Sequence, residues 1–199
     1  LTSGILHPPF YHPSAPVVMN FGGIGTVIGH EITHGFDYQG SQYDETGRLV
    51  NWWRNDTREK YEERVKCFER QYSSQVEPVT GKKVNGTLTI GDNIADNGGI
   101  KQAFKAYKIY TATKEQEMDL KLPKSMEQFS KEQLFFIAYA STWCNDNSKE
   151  HIEARLKDDS HAPATSRVLV PLMNSDDFAK AYNCPQGSKM NPVNKCLLY

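Results

Sequence analysis

His30-Glu31-Ile32-Thr33-His34 is a run of side chains that a helix turns into a site. One α-helical turn is about 3.6 residues, so the two histidines stack on one face and can offer imidazole nitrogens to a single cation. Glu31, one step round, is placed to take a proton from a water that such a cation activates and to return it to a leaving amine. The flanks keep the same period: Ile24, Val27, Ile28 and Ile32 supply apolar spacing and predict a buried helix. Gly22, Gly23, Gly25 and Gly29 weaken that helix but let another backbone approach, and Gly35 reads as its stop or bend.

A catalytic zinc takes three protein ligands and keeps one position open, so a third ligand is needed. Gly91-Asp92-Asn93-Ile94-Ala95-Asp96-Asn97-Gly98-Gly99 supplies it, because Asp92 and Asp96 are again four apart. Ile94, Ala95, Ile100, Ala103, Phe104 and Tyr107 continue a helical apolar pattern around them. Asp92 then binds the metal, while Asp96 accepts a hydrogen bond from a ligand histidine and fixes its tautomer. Asp37, just past the first helix, can do the same for the other histidine. Alone, Asp92 near a helix start would read as an N-cap; the partner motif reverses that.

These two motifs, with His161-Ala162-Pro163-Ala164-Thr165-Ser166-Arg167 and a cysteine three residues before the end, resemble in order and spacing the neprilysin and endothelin-converting enzyme family of zinc endopeptidases. The resemblance implies a mainly α fold with a few short strands, a gluzincin-type catalytic lobe, and one zinc ion per chain. It implies His30, His34 and Asp92 as ligands, with Glu31, His161 and Asp96 as the catalytic set. His161 matches a histidine that stabilises the oxyanion, Asp159 the acid that orients it, and Asp37 and Asp96 the carboxylates behind the ligand histidines. Arg167 matches an arginine that binds the substrate carbonyl beyond the scissile bond, and Trp143, Ile5, Phe10 and Val27 fall near the substrate pocket. Spacing alone would leave His161 and Arg167 on a Pro-containing surface loop.

The family pattern has Glu where this chain has Asp92. Ligand chemistry is preserved, but the side chain is shorter by one C–C bond, about 1.5 Å. Misplacement of about 1 Å can cost 10²-fold in rate, so the expectation is a metal-binding enzyme that is slow. Ser166 stands where the family usually has an aromatic, and Tyr199 where it usually ends in Trp.

With 38% apolar residues and a net charge of −1, 199 residues suit one lobe and give no reason to propose nucleic acid as a partner. The mixed-sign stretches 114–121 and 149–159 read as solvated helix faces. No apolar run approaches the roughly 18 residues of a membrane span. Sequons at Asn55 and Asn85, with four cysteines, favour the secretory route. The resemblance pairs Cys67 with Cys196 and matches Cys144 and Cys184 to cysteines bonded to an N-terminal portion of the parent. Sequence alone leaves a Cys144–Cys184 bond open, since four cysteines allow three connectivities. Residues 1–199 are thus expected to be the C-terminal catalytic portion of a peptidase. The resemblance implies a parent anchored as a single-pass type II protein at the extracellular face of the plasma membrane, or secreted, that acts on short peptides. The strand that holds substrate in this family is expected to precede Leu1.

Between the motifs, Gly4, Pro8, Pro9, Pro13 and Pro16 predict loop or edge strand over residues 1–20. Asp56 with Glu59 predicts a capping box opening a charged helix to about Tyr72, and Ser130 with Gln133 another before the apolar run Leu134 to Ala140. Asn85-Gly86 predicts a turn before a short strand. Short helices are expected over Lys149 to Leu156 and Asp176 to Tyr182. A non-catalytic relative that binds peptides or a partner is the alternative function, motivated by Asp92; loss of Glu31 or a histidine would favour it, and none is lost.

Overall fold

The computed structural model describes residues 2–113 and 122–198; the charged stretch 114–121 and Tyr199 lie outside the described residues. Helix α1 (Val17–Asn20) runs through a π turn, Phe21–Gly25, into α2 (Thr26–His34), which carries the histidine pair and ends at Gly35. Then come α3 (Asn55–Ser73), α4 (Ile90–Thr113), α5 (Lys131–Ser141), α6 (Lys149–Asp158), α7 (Ala164–Asn174) and α8 (Asp176–Ala181). Among the described residues, extended pairing is confined to three isolated antiparallel bridges, joining Tyr43 to Leu49, Val76 to Lys83 and Ser188 to Asn191. None of the described helices is long and apolar enough to cross a membrane.

The pairing of α2 with α4 is the centre of the fold. Thr26 and His30 meet Gly99, Thr33 meets Gly98, and Asp37 meets Gly91, so the two helices run antiparallel. They pack backbone on backbone: a methyl on Gly29 would lie 2.7 Å from the Gly99 carbonyl oxygen, and one on Gly99 would lie 2.7 Å from the His30 nitrogen. Two apolar clusters flank this pair. In the first, Tyr61, Val65, Phe68 and Tyr72 form one stripe of α3 against Ile90 and Ile94 of α4, Val170 and Met173 of α7, and Cys196 and Leu198. A disulfide from Cys67 to Cys196 ties the C-terminal segment to α3. In the second, Ile100, Phe104 and Tyr107 of α4 meet Leu134, Phe135, Phe136 and Tyr139 of α5, with Val18 and Leu172.

Pro171 sits inside α7 and brings no N–H to the carbonyl of Arg167 one turn back. The hydroxyl of Tyr139 donates to that carbonyl instead. The break in the helix ladder is therefore satisfied, and it pins α7 to α5 beside the site.

Four local expectations are corrected. α2 is covered on one face only: Thr26, Gly29 and Thr33 are buried, while Ile28 and Ile32 are 43% and 63% exposed. Small residues do the packing here, so the apolar ones are left on the open side. α3 begins at Asn55 with Arg54 as a cap that makes no side-chain capping bond, and Asp56 lies inside the first turn, where its charge complements the helix dipole. Asn85-Gly86 turns into α4 rather than a strand, because the Asn85 side chain accepts from the Leu88 N–H at 3.1 Å and its carbonyl from Thr89. The loop reading of residues 1–20 holds over 2–16, with a 3₁₀ turn at Ser3–Ile5, and is corrected only at its end, where the short helix α1 follows Pro16. The capping box at Ser130 and Gln133 is present, and α6 buries none of its residues, as its mixed charge requires.

Candidate metal centre

Each histidine of the pair is held by a carboxylate on its Nδ1. Asp96 Oδ1 lies 2.8 Å from His30 Nδ1, and Asp37 Oδ2 lies 2.6 Å from His34 Nδ1. Those bonds place the ring protons on Nδ1 and leave both Nε2 lone pairs pointing the same way. The two Nε2 atoms are 2.9 Å apart. Two facing lone pairs at that separation repel unless a cation lies between them.

Asp92 completes the group from the first turn of α4. Its Oδ1 stands 3.6 Å from His30 Nε2 and 3.8 Å from His34 Nε2. It is buried and accepts no hydrogen bond among the described residues. A buried acceptor without a donor costs about 1–3 kcal/mol, more when charged, so this oxygen is built for a cation. Ligands about 2.0–2.2 Å from a tetrahedral zinc stand about 3.4 Å from one another, and the observed separations bracket that figure. The shorter Asp side chain does converge on the histidines. His30, His34 and Asp92 are the residues that fit a metal ion.

Behind them the carboxylates are anchored in turn. Arg167 donates from Nε and Nη2 to the two oxygens of Asp96, both at 2.7 Å, and its guanidinium lies 4.1 Å over the Trp143 ring. Burial would raise the Asp96 pKa, but the Arg167 charge and the bonds from His30 and Arg167 lower it below the usual carboxylate range. Burial likewise opposes the charge on Arg167, and Asp96 more than restores it. Asp37 takes backbone N–H bonds from Gln39 and Gly40 on its other oxygen. Against burial, these and His34 hold its pKa down. The Asp37 hydrogen bond in turn raises that of His34. Positive charge is thus favoured at this spot whether a proton or a metal carries it.

His161 enters from the loop before α7, with Nε2 3.3 Å from Asp92 Oδ1. Asp159 accepts from the His161 backbone at 2.8 Å and meets its Nδ1 at 2.7 Å. Arg155 donates to the other Asp159 oxygen from one turn back on α6. Burial opposes it, yet the His161 and Arg155 bonds hold the Asp159 pKa at about 2.

The structure therefore brings together His30, His34, Asp37, Asp92, Asp96, Asp159, His161, Arg167 and Trp143. Arg167 is buried in α7, not carried on a surface loop as spacing alone suggested, because Asp96 and Trp143 give its charge a partner and a platform. Ser166 beside it is buried too. Glu31 is exposed on the open face of α2, and Val27 is half-buried one turn before His30. Phe10 is tied to the π turn through its carbonyl, which accepts from Ile24 at 2.7 Å, and Ile5 is half-buried in the 3₁₀ turn. Cys144 and Cys184 are free thiols, not bonded to each other. Sequence reasoning missed Arg155 and the Tyr139 bond to Arg167. The four-residue spacing of Arg155 and Asp159 on a helix was the available signal for the first.

A helical lobe in which a histidine pair and a carboxylate on antiparallel helices converge on one point has the build of a zinc metallopeptidase. A family model agrees over residues 1–198: the chain belongs to peptidase family M13. It is 48% identical over 197 residues to Neprilysin-1 of Caenorhabditis elegans, covering 99% of this chain and 26% of that protein. It is 43% identical over 194 residues to Endothelin-converting enzyme 1 of Mus musculus, covering 98% of this chain and 24% of that one. The solved zinc metalloprotease Zmp1 of Mycobacterium tuberculosis superposes with a TM-score of 0.85 at 34% identity, over 92% of this chain and 28% of that structure. The chain spans about a quarter of the length of the curated relatives it matches.

Proposed function

We propose that this chain is the catalytic portion of a zinc endopeptidase that hydrolyses short extracellular peptides on the amino side of large apolar residues. The observation that carries the reading is the buried Asp92 Oδ1, which accepts no hydrogen bond among the described residues and faces two Nε2 lone pairs. One zinc ion, held by His30, His34 and Asp92, would supply Lewis-acid polarisation of the scissile carbonyl and a lower pKa for water.

The chain's own groups do the rest. Glu31, exposed beside His30, takes a proton from the attacking water as the new C–O bond forms and passes it to the amide nitrogen as the C–N bond breaks. His161, oriented by Asp159, presents its Nε2 side to the oxygen that gathers negative charge. Asp37 and Asp96 keep the ligand histidines in one tautomer. Arg167 spends two of its five N–H donors on Asp96 and keeps others for a substrate carbonyl. Trp143, Val27, Phe10 and Ile5 supply apolar wall for the side chain that follows the scissile bond. Free Cys144 and Cys184 support bonding to a further portion of a longer parent, and exposed Asn55 and Asn85 support glycosylation on an extracellular route, membrane-anchored or secreted.

The test is zinc content and peptide hydrolysis of wild type, Glu31→Gln and Asp92→Ala. Wild type is expected to bind one zinc and cleave. Glu31→Gln keeps the metal and loses about 10²–10⁴-fold in rate, and Asp92→Ala loses the metal. A wild type that binds zinc and peptide without cleaving either side of any apolar residue would shift the assignment to a peptide-binding relative.

A further inference from the structure

Of the groups assigned above to the residue after the scissile bond, Arg167, with Trp143 against it, reaches the centre through Asp96 on the His30 side, and Val27 lies one turn before His30 on α2. At its other end a second space opens. A cavity of ≈ 540 Å³ lies between the last turn of α2, one face of α3 and the first turn of α4. His34, Asp92 and Ser160 form part of its wall, so it is continuous with the metal centre and adjoins the loop of His161. Val65 and Ile90 give it an apolar floor, and Glu62, Lys66 and Glu69, spaced to share one face of α3, give it a charged side.

That charge has a sign. Four carboxylates, Asp37, Glu62, Glu69 and Asp92, line the cavity against one ammonium, Lys66. Counting these five groups alone, the lining is three units negative before any cation is bound at the centre. Glu62 is neutralised by Arg58 at 2.8 Å, whereas none of the ion pairs among the described residues engages Glu69, whose only bond here comes from the Thr87 hydroxyl.

We infer that this cavity receives a side chain from the amino-terminal side of the scissile bond and that Glu69 selects a basic one, lysine or arginine, whose alkyl stem lies on Val65 and Ile90. The inference rests on the peptidase reading of the same centre. A peptide held across His30 and His34 with its following residue at Trp143 has its preceding residues at the His34 end, where a snorkelling cation finds both an apolar floor and a carboxylate.

The test uses quenched fluorescent peptides, alike except for Arg, Gln or Glu at the two positions before the scissile bond, with the zinc-loaded protein. One unit charge pair at about 4 Å in water is worth about fivefold, so kcat/KM is expected to fall about fivefold from Arg to Gln and again from Gln to Glu. High salt compresses the series, and Glu69→Lys reverses it, with Glu69→Gln between. An Arg-to-Glu ratio under twofold in wild type, or one unmoved by both salt and Glu69→Lys, overturns the inference. Binding of the same peptides to Glu31→Gln, read by anisotropy, separates the two readings. Preference in binding without turnover by wild type sinks the peptidase alone; turnover without preference sinks the subsite alone.

Discussion

Gly99→Ala places one methyl where α2 and α4 touch. Its carbon would lie 2.7 Å from both the His30 nitrogen and the Thr26 carbonyl oxygen, about 0.7 Å short of the 3.4 Å of an ordinary contact. Both obstacles are backbone inside a helix, so neither can swing aside, and the helices must part by about that distance. Overpacking of this kind costs about 1–3 kcal/mol, partly offset by the roughly 1 kcal/mol by which Ala outdoes Gly in a helix. Stability is therefore a blunt readout. Zinc affinity is a sharp one, because the residue pushed is His30 while Asp92 and Asp96 stay on the helix doing the pushing. Disturbing what orients a metal ligand typically costs about 10- to 100-fold in metal affinity, so apparent zinc affinity by chelator competition should drop by about that factor. Gly4→Ala, whose methyl meets nothing closer than 3.9 Å, is the control. If Gly99→Ala binds zinc within twofold of wild type, the close helix contact does not position the histidines and the reasoning is wrong.

Asp96→Asn strands the Arg167 guanidinium, and breaking one partner of a buried pair costs about 3–5 kcal/mol, measurable as a lower urea midpoint. Chelating the metal should lower stability by about 4 kcal/mol when zinc had stood at 1,000 times its Kd, and Asp92→Ala should abolish that difference in a melting experiment. Reducing the Cys67–Cys196 bond, which closes a loop of sequence separation 129, removes up to about 5 kcal/mol in the loop-entropy account, read by guanidinium titration with and without reductant. Asp159, whose pKa is depressed from 3.8 to about 2, adds stability that is fully present above pH 3.8 and lost as pH falls through about 2. Asp159→Asn should flatten the wild-type acid limb in that window, and an unchanged limb would refute the His161–Asp159–Arg155 arrangement.

The metal group was legible because coordination chemistry fixes residue type and helix geometry fixes spacing: two histidines four apart and two aspartates four apart admit few other uses. The anchors were less so. That Arg167 reaches Asp96, 71 positions away, depends on α7 crossing α4, which no local pattern encodes. Ile28 and Ile32 misled for the complementary reason. Apolar period locates a helix but not its neighbour, and here glycines, which carry no hydrophobic signal, mark the packed face. Asn85-Gly86 is a turn on either reading, and only the side-chain bond to Leu88 decides that a helix follows.

The π turn at Phe21–Gly25 sets the phase between two halves of one rod. Its upstream half rests on α5, its downstream half rests on α4, and the turn itself touches both. A π turn carries one residue more than an α turn, and each residue is worth about 100° of rotation. Like a shaft keyed one notch over, the rod lets α1 face α5 while His30 and His34 face Asp92. Take the extra residue out, and one of those two alignments must be given up.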